Sequence, residues 1–185
     1  MSGKIALLLV IGVKLTTGAF GPKMGPYEIE ILKMEQCEDP GSGKIYFPSR
    51  ITFVGKGKYF YNETFKLEVP ADENTRAVLE LQKWGNGGWR KRAVQYTVKN
   101  CEDLWRRIGD QIHDAMKYTN LTQFITCPFP PGSYVVNNWP VSLNMTGVIP
   151  VMEYAKYRLV VKFYYKDEYV GCMMFTVNAV PKDTQ

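Results

Sequence analysis

From Tyr27 onward, apolar residues recur with a period of two rather than 3.6. Tyr27, Ile29 and Ile31 alternate with Glu28 and Glu30, and Tyr59, Tyr61, Phe65, Leu67 and Val69 share one parity. Asn62, Thr64, Lys66 and Glu68 hold the opposite parity, with Glu63 interrupting the apolar face. Ala77, Leu79 and Leu81 repeat the pattern, as do Val94, Tyr96 and Val98, and then Tyr157, Leu159, Val161, Phe163 and Tyr165 against Arg158 and Lys162. Such alternation marks strands with one face in a core and one in water, the signature of antiparallel sheet. Gly-rich or polar turns separate the runs at Val54–Lys58, Trp84–Trp89 and Lys166–Glu168, as hairpins require. The pattern predicts a mainly β fold, about eight antiparallel strands forming a cup or sandwich.

One segment departs from this period. Between Asn100 and Met116, the residues Leu104, Ile108, Ile112 and Met116 fall at i+4 steps, which places them on one helical face. Asn100 is suited to cap such a helix, and Glu102 and Asp103 complement its positive end. Gly109, in its middle, costs up to about 1 kcal/mol. The prediction is one amphipathic helix lying across an end or edge of the sheet.

The N-terminus has a different character. Lys4 precedes the apolar run Ile5–Val13, and Lys14 and the small residues Thr16–Ala19 follow, the layout of a secretory signal peptide over residues 1–19. Cleavage would leave residues 20–185 and lower the formal charge from +5 by the loss of Lys4 and Lys14. The run is too short to cross a bilayer, no later stretch reaches about 18 apolar residues, and no transmembrane segment is expected. Export gives the four cysteines, Cys37, Cys101, Cys127 and Cys172, a meaning. An even number in a secreted chain reads as two disulfides, with three connectivities open. Their wide spacing does not suit zinc, so no metal and no cofactor is expected. Asn62, Asn120 and Asn144 each begin an Asn-x-Thr glycosylation acceptor. The reading is a secreted, extracellular glycoprotein, less readily a lysosomal one, and a monomer.

Composition narrows the function classes. A charge of +5 does not call for nucleic acid. The single histidine, His113, has no nucleophile motif near it, so no catalytic residue and no enzymatic activity are expected. Arg90–Arg92 and Arg106–Arg107 read as solvated charge that could also favour anionic headgroups. Inward parity supplies Phe65, Leu67, Leu79, Leu81, Val94, Tyr96, Leu159, Val161 and Phe163, with Leu143 as a further candidate lining residue. Periodicity reports sidedness and not volume, so these residues suit a packed sandwich or a hollow cup equally.

Cys127-Pro-Phe-Pro-Pro-Gly-Ser-Tyr134, the preceding Cys101 and the closing Tyr169-Val-Gly-Cys-Met-Met174 resemble the ganglioside activator protein family. So do Leu79–Lys83 and Gly88–Lys91 ahead of the central cysteine. The opening Tyr27–Cys37 and the use of only four cysteines resemble the insect CheA-type chemosensory branch more closely. The resemblance implies a lipid-recognition β-cup over residues 20–185, with Cys37 bonded to Cys172 and Cys101 to Cys127. It implies a noncatalytic carrier or presenter of lipids or other long-chain hydrophobic ligands, in the setting of contact chemosensation or pheromone perception. A receptor or a glycosidase would be the further partner. The vertebrate activator has eight cysteines against four here, and the missing pairs brace loops at the cup mouth, so ganglioside recognition and enzyme docking are less expected than the cup itself. In a hollow cup, burial of a sixteen-carbon chain would gain roughly 12 kcal/mol before association costs. The alternatives are a noncatalytic activator of a lysosomal glycosidase, or a secreted immunoglobulin-like adhesion or receptor-binding module with Cys37 bonded to Cys101. The latter reading lacks the core Trp expected after the first cysteine, since the first is Trp84.

Overall fold

The longest alternating runs form the longest strands. The computed structural model describes residues 23–48, 50–55, 58–121 and 125–182; the signal-peptide segment 1–19 lies outside them. In chain order the strands are β1 (Met24–Gly25), β2 (Tyr27–Glu35), β3 (Ile45–Tyr46), β4 (Ile51–Gly55), β5 (Lys58–Tyr61), β6 (Thr64–Leu67), β7 (Thr75–Gly85) and β8 (Gly88–Val98). Helix α1 (Cys101–Met116) follows, and then β9 (Gly132–Val135), β10 (Trp139–Pro140), β11 (Met152–Glu153), β12 (Ala155–Tyr165) and β13 (Glu168–Pro181).

Five strands form the main sheet in the order β2-β13-β12-β7-β8. All the described strand pairs are antiparallel. Two of the expected hairpins join neighbours in this sheet. Asn86 and Gly87 turn β7 into β8 with φ of 53° and 79°, and Lys166 and Asp167 turn β12 into β13 with φ of 48° and 65°. Positive φ at both central residues gives the turn twist that suits a two-residue hairpin. The Gly-rich turn at Val54–Lys58 likewise joins β4 to β5, although residues 56–57 lie outside the described set.

Two smaller sheets, β10-β5-β4 and β3-β6-β9, contribute to the opposing layer, and β1 pairs with β11 in a third. Here the sequence reading needs correction. The single parity from Tyr59 to Val69 is not one strand but two, β5 and β6, in different sheets. The break falls at Asn62 and Glu63, where chain 136–138 intervenes. Asn62 Oδ1 accepts from the Asn138 N–H at 2.6 Å, and the Glu63 carbonyl accepts from the Val136 N–H at 2.9 Å. The strand count rises above eight because several pieces are only two residues long, too short for periodicity to register.

Two disulfides are present, Cys37–Cys172 and Cys101–Cys127, the pairing implied by the resemblance. The Cys37–Cys101 bond of the immunoglobulin-like alternative is not formed. Glycine permits one close approach: a Cβ on Gly171 would collide with the Ile45 carbonyl oxygen, so only glycine lets β3 sit against β13. Helix α1 begins as expected, with Asn100 Oδ1 accepting from the Asp103 N–H at 2.9 Å. It kinks at Ile108 (φ −133°, ψ 20°), directly before Gly109. Among the described residues, no helix is long and apolar enough to cross a membrane.

Candidate ligand cavity

The inner face of the main sheet is built in rows. Reading across β7, β12 and β13, one row is Leu81, Leu159 and Phe175, the next Leu79, Val161 and Met173, and the next Ala77, Phe163 and Gly171. Towards the other end, Tyr157, Val177 and Ile31 share a row, followed by Ala179 and Ile29. These latter rows are packed solid with Tyr27 and Met152, and Val177 has no exposed surface. From Leu159 and Phe175 onward, the sheet instead borders a cavity of about 380 Å³.

The cavity takes its walls from each layer. The sheet supplies Leu79, Val161, Phe163 and Met173; the small sheets supply Ile45, Tyr61, Phe65, Leu67 and Trp139. Helix α1 turns Leu104, Ile108, Ile112 and Met116 inward, the stripe expected from the i+4 spacing. The chain between β10 and β11 closes the space with Val141, Leu143, Met145 and Val148. A reciprocal clasp holds this cover to the helix: Gln111 Nε2 donates to the Asn144 carbonyl at 2.7 Å, and the Asn144 N–H donates to Gln111 Oε1 at 2.8 Å. Phe65, Phe47, Phe163 and Tyr134 form a stacked and tilted aromatic series at the far end.

Electrostatically the lining is quiet. Among the described residues Arg76 is its one charged member. That guanidinium is engaged, 3.3 Å from Asp167 Oδ1 and 4.0 Å above the Tyr164 ring. Buried Tyr27, Tyr134 and Tyr157 hydroxyls donate to backbone carbonyls of Ile149, Pro130 and Glu153 at 2.6, 2.5 and 2.9 Å. Burial pushes the Tyr27 hydroxyl up to about 12. Tyr61 is equally buried but has no hydrogen-bond partner, and the same holds for Trp139 Nε1. Desolvation raises the Tyr61 pKa most, with the nearby Glu63 and Tyr46 adding to it.

Seven of the ten candidate lining residues stand in the cavity wall: Phe65, Leu67, Leu79, Leu143, Leu159, Val161 and Phe163. Leu81, Val94 and Tyr96 do not. Leu81 is buried in the core in the row of Leu159 and Phe175, but does not itself line the cavity. Val94 and Tyr96 share its parity, but β8 is an edge strand that the second layer covers only in part. There Val98 is buried, the Arg107 guanidinium lies 4.7 Å above the Tyr96 ring, and Val94 remains 40% exposed. Parity thus reports the face correctly but not how far the opposing layer extends. Met34, Trp139, Met173 and Phe175 were missed. β13 is buried on both faces, with Cys172 and Thr176 behind Met173 and Phe175, so its apolar run does not alternate. β10, with two residues, has no period at all.

The remaining candidates lie outside the cavity. A second recess of about 530 Å³ sits at the helix kink, lined by Arg106, Arg107, Asp110, His113 and Thr146. It is larger, but its charged lining does not select apolar matter. Within it, Arg106 and Arg107 both bond Asp103, at 2.6 and 3.1 Å. Burial of Asp103 opposes its ionisation, but hydrogen bonds from Arg106 and the Lys99 N–H, with the charge of Arg107, outweigh this and hold its carboxyl below the ordinary range. Arg90 is exposed on β8, while the side chains of Lys91 and Arg92 lie outside the described set. Asn62, Asn120 and Asn144 are all exposed, with Thr122 of the second acceptor outside the described residues. Asn144 Oδ1 accepts from both the N–H and the hydroxyl of Thr146.

The segment that builds much of this cavity, from β7 through α1 to Leu159, coincides with a match to a known family. No curated protein matches the chain. Residues 77–159 match the family described as protein of unknown function (DUF1091), to which this part of the chain is similar.

Proposed function

We propose that this chain is a secreted, noncatalytic binding protein that carries or presents lipids or other long-chain hydrophobic ligands. The observation that carries the reading is the 380 Å³ cavity between the main sheet and the second layer, walled by apolar side chains. An apolar cavity of roughly 150 Å³ is enough for benzene, so this one has room for about fifteen heavy atoms in a chain. At about 0.8 kcal/mol per buried methylene, such a chain gains enough to offset the cost of association. Binding of this kind needs no reactive group. The disulfide pairing matches the one implied by the resemblance to the ganglioside activator family, which supports the finer reading of a lipid-recognition cup. The likeness to the CheA-type branch favours contact chemosensation as its setting, with a receptor as the partner that reads the loaded carrier.

The test is native mass spectrometry of the secreted protein, paired with solvent extraction and displacement of a bound fluorescent apolar probe. The expected result is a mass excess that extraction removes, together with probe displacement by long-chain compounds. A protein that is ligand-free as secreted and takes up neither fatty acids, glycolipids nor long hydrocarbons would overturn the proposal.

A further inference from the structure

We infer that ligands enter and leave the cavity beneath the chain between β10 and β11, a strap over the helix kink that Gln111 latches shut. This inference rests on the carrier reading and adds the route by which the carrier loads. The strap, residues 141–149, contains no strand. It is fixed at both ends: the Val141 N–H donates to the Tyr59 carbonyl at 2.9 Å, and the Ile149 carbonyl accepts from the Tyr27 hydroxyl at 2.6 Å. Between these anchors most of its hydrogen bonds are internal, from Thr146 to Asn144 and from Val148 and Ile149 to the Met145 carbonyl. The exceptions are the two exchanged with Gln111. Among the described residues, one side chain thus carries every hydrogen bond that joins the middle of the strap to another part of the molecule. Leu143 and Met145 otherwise hold it down by apolar packing, contacts that a hydrophobic chain passing beneath can replace.

The wall is thinnest at the same place. The recess at the helix kink is open to solvent, with Arg106, Asp110, His113 and Thr146 among its exposed lining. Trp105, Ile108, Gln111 and Asn144 line both this recess and the apolar cavity, so a single layer of side chains parts water from the interior there. The three helical members stand at i, i+3 and i+6, one stripe of α1, and Ile108 is the residue whose backbone leaves helical geometry. A helix broken at that point can tilt its second half, which carries Gln111, while the Asn100 cap and the Cys101–Cys127 bond hold the first. Gly147 completes the seat: a Cβ there would lie 2.6 Å from the Arg107 carbonyl oxygen, so glycine lets the strap close down on the kink. The opposite wall is a continuous antiparallel ladder, and parting it would break many hydrogen bonds at once.

Stopped-flow uptake of N-phenyl-1-naphthylamine tests the route, with association and dissociation rates read from the slope and intercept of the observed rate against probe concentration. Releasing the latch raises the population of the open form without altering the closed site, free or loaded, so both rates rise together. Gln111→Ala is expected to speed association and dissociation about tenfold, the worth of its lost hydrogen bonds, and to leave Kd within about twofold. Gly147→Ala, which lifts the strap from the kink, should act in the same direction. Leu81→Ala, which loosens the core away from the strap, should leave both rates as in the wild type. Unchanged rates in both strap variants would overturn the route. A rise in dissociation alone would make Gln111 a ligand contact instead of a latch, and equal acceleration by Leu81→Ala would assign exchange to general loosening of the fold. If Gly147→Ala does not fold, Gln111→Ala decides alone, with its Tm as the check on an intact core. If the wild type takes up no probe, the carrier reading itself fails, and the inference with it.

Discussion

The two ends of one sheet face differ more than its two faces do. At the end formed by Tyr157, Val177 and Ala179, Tyr27 of β2 and Met152 fill the space against them, and both tyrosine hydroxyls are tied to carbonyls. At the other end, Leu79, Val161 and Phe163 look across a cavity, and the polar groups of Tyr61 and Trp139 are unpaired. The strands are continuous from one end to the other, with the same alternation and the same kind of side chain. What changes is the second layer, which at the hollow end is assembled from short strands, a kinked helix and a loop. Cys101 lines the cavity, whereas Cys172 is buried on the other face of β13, behind Met173 of the wall.

That contrast can be broken most forcefully through the bond between Cys37 and Cys172. It closes a loop spanning a sequence separation of 135 residues, and chain entropy assigns it about 5 kcal/mol as an upper value. Replacing both cysteines by alanine should lower stability by that order and abolish apolar probe binding before the far-ultraviolet circular dichroism of the main sheet is lost. Simultaneous loss of both signals would mean that the two ends are one cooperative unit.

A smaller effect sharpens the comparison within a single strand. Leu81→Ala, in the packed core outside the cavity lining, should cost about 3 kcal/mol, and Leu79→Ala, beside existing space, about half as much, as read by urea denaturation. Enlargement should reverse the order. Val177→Phe should cost about 1–3 kcal/mol from overpacking, whereas Val161→Phe should leave Tm nearly unchanged and weaken probe binding by partly filling the cavity. Equal costs at the paired sites would dissolve the distinction between filled and hollow.

The mildest probe is Asp103, which holds the first turn of the helix that roofs the cavity. Its carboxyl is depressed below the unfolded value of 3.8 in the folded protein. The stabilisation is therefore complete above that value and lost as pH falls through the lower, folded one. Asp103→Asn should cost about 1–2 kcal/mol at neutral pH. Thermal melts between neutral and strongly acid pH should show the wild type losing this advantage only on the acid side. A constant difference across that range would assign the loss to packing instead of charge.

Legibility in the sequence followed the same divide. The strands β7 and β12, both tight hairpins of the main sheet, the Asn100 cap and the helical stripe from Leu104 to Met116 could all be read, because each is decided by local spacing. The cavity could not. Leu79 and Leu81 are indistinguishable by parity, and only the reach of the opposing layer makes one line a cavity and the other a core. Val94 failed for the same reason, in the opposite direction. Tyr61 carried a readable facing but no hint that its hydroxyl would lack a carbonyl, since that depends on where residues far away in the chain come to rest. The β5–β6 break was visible only as the interruption at Glu63.

The position of β13 in the sheet has a consequence for biosynthesis. This strand lies between β2 and β12, carries Cys172, and is the last strand among the described residues. As a chain emerges from its N-terminus, β2 and Cys37 must wait for a partner made well over a hundred residues later, while the β7–β8 hairpin can close at once. The main sheet thus joins β2 to its other strands only once β13 has been made. Until then the apolar faces of its strands are open surface, and the fold itself cannot protect them.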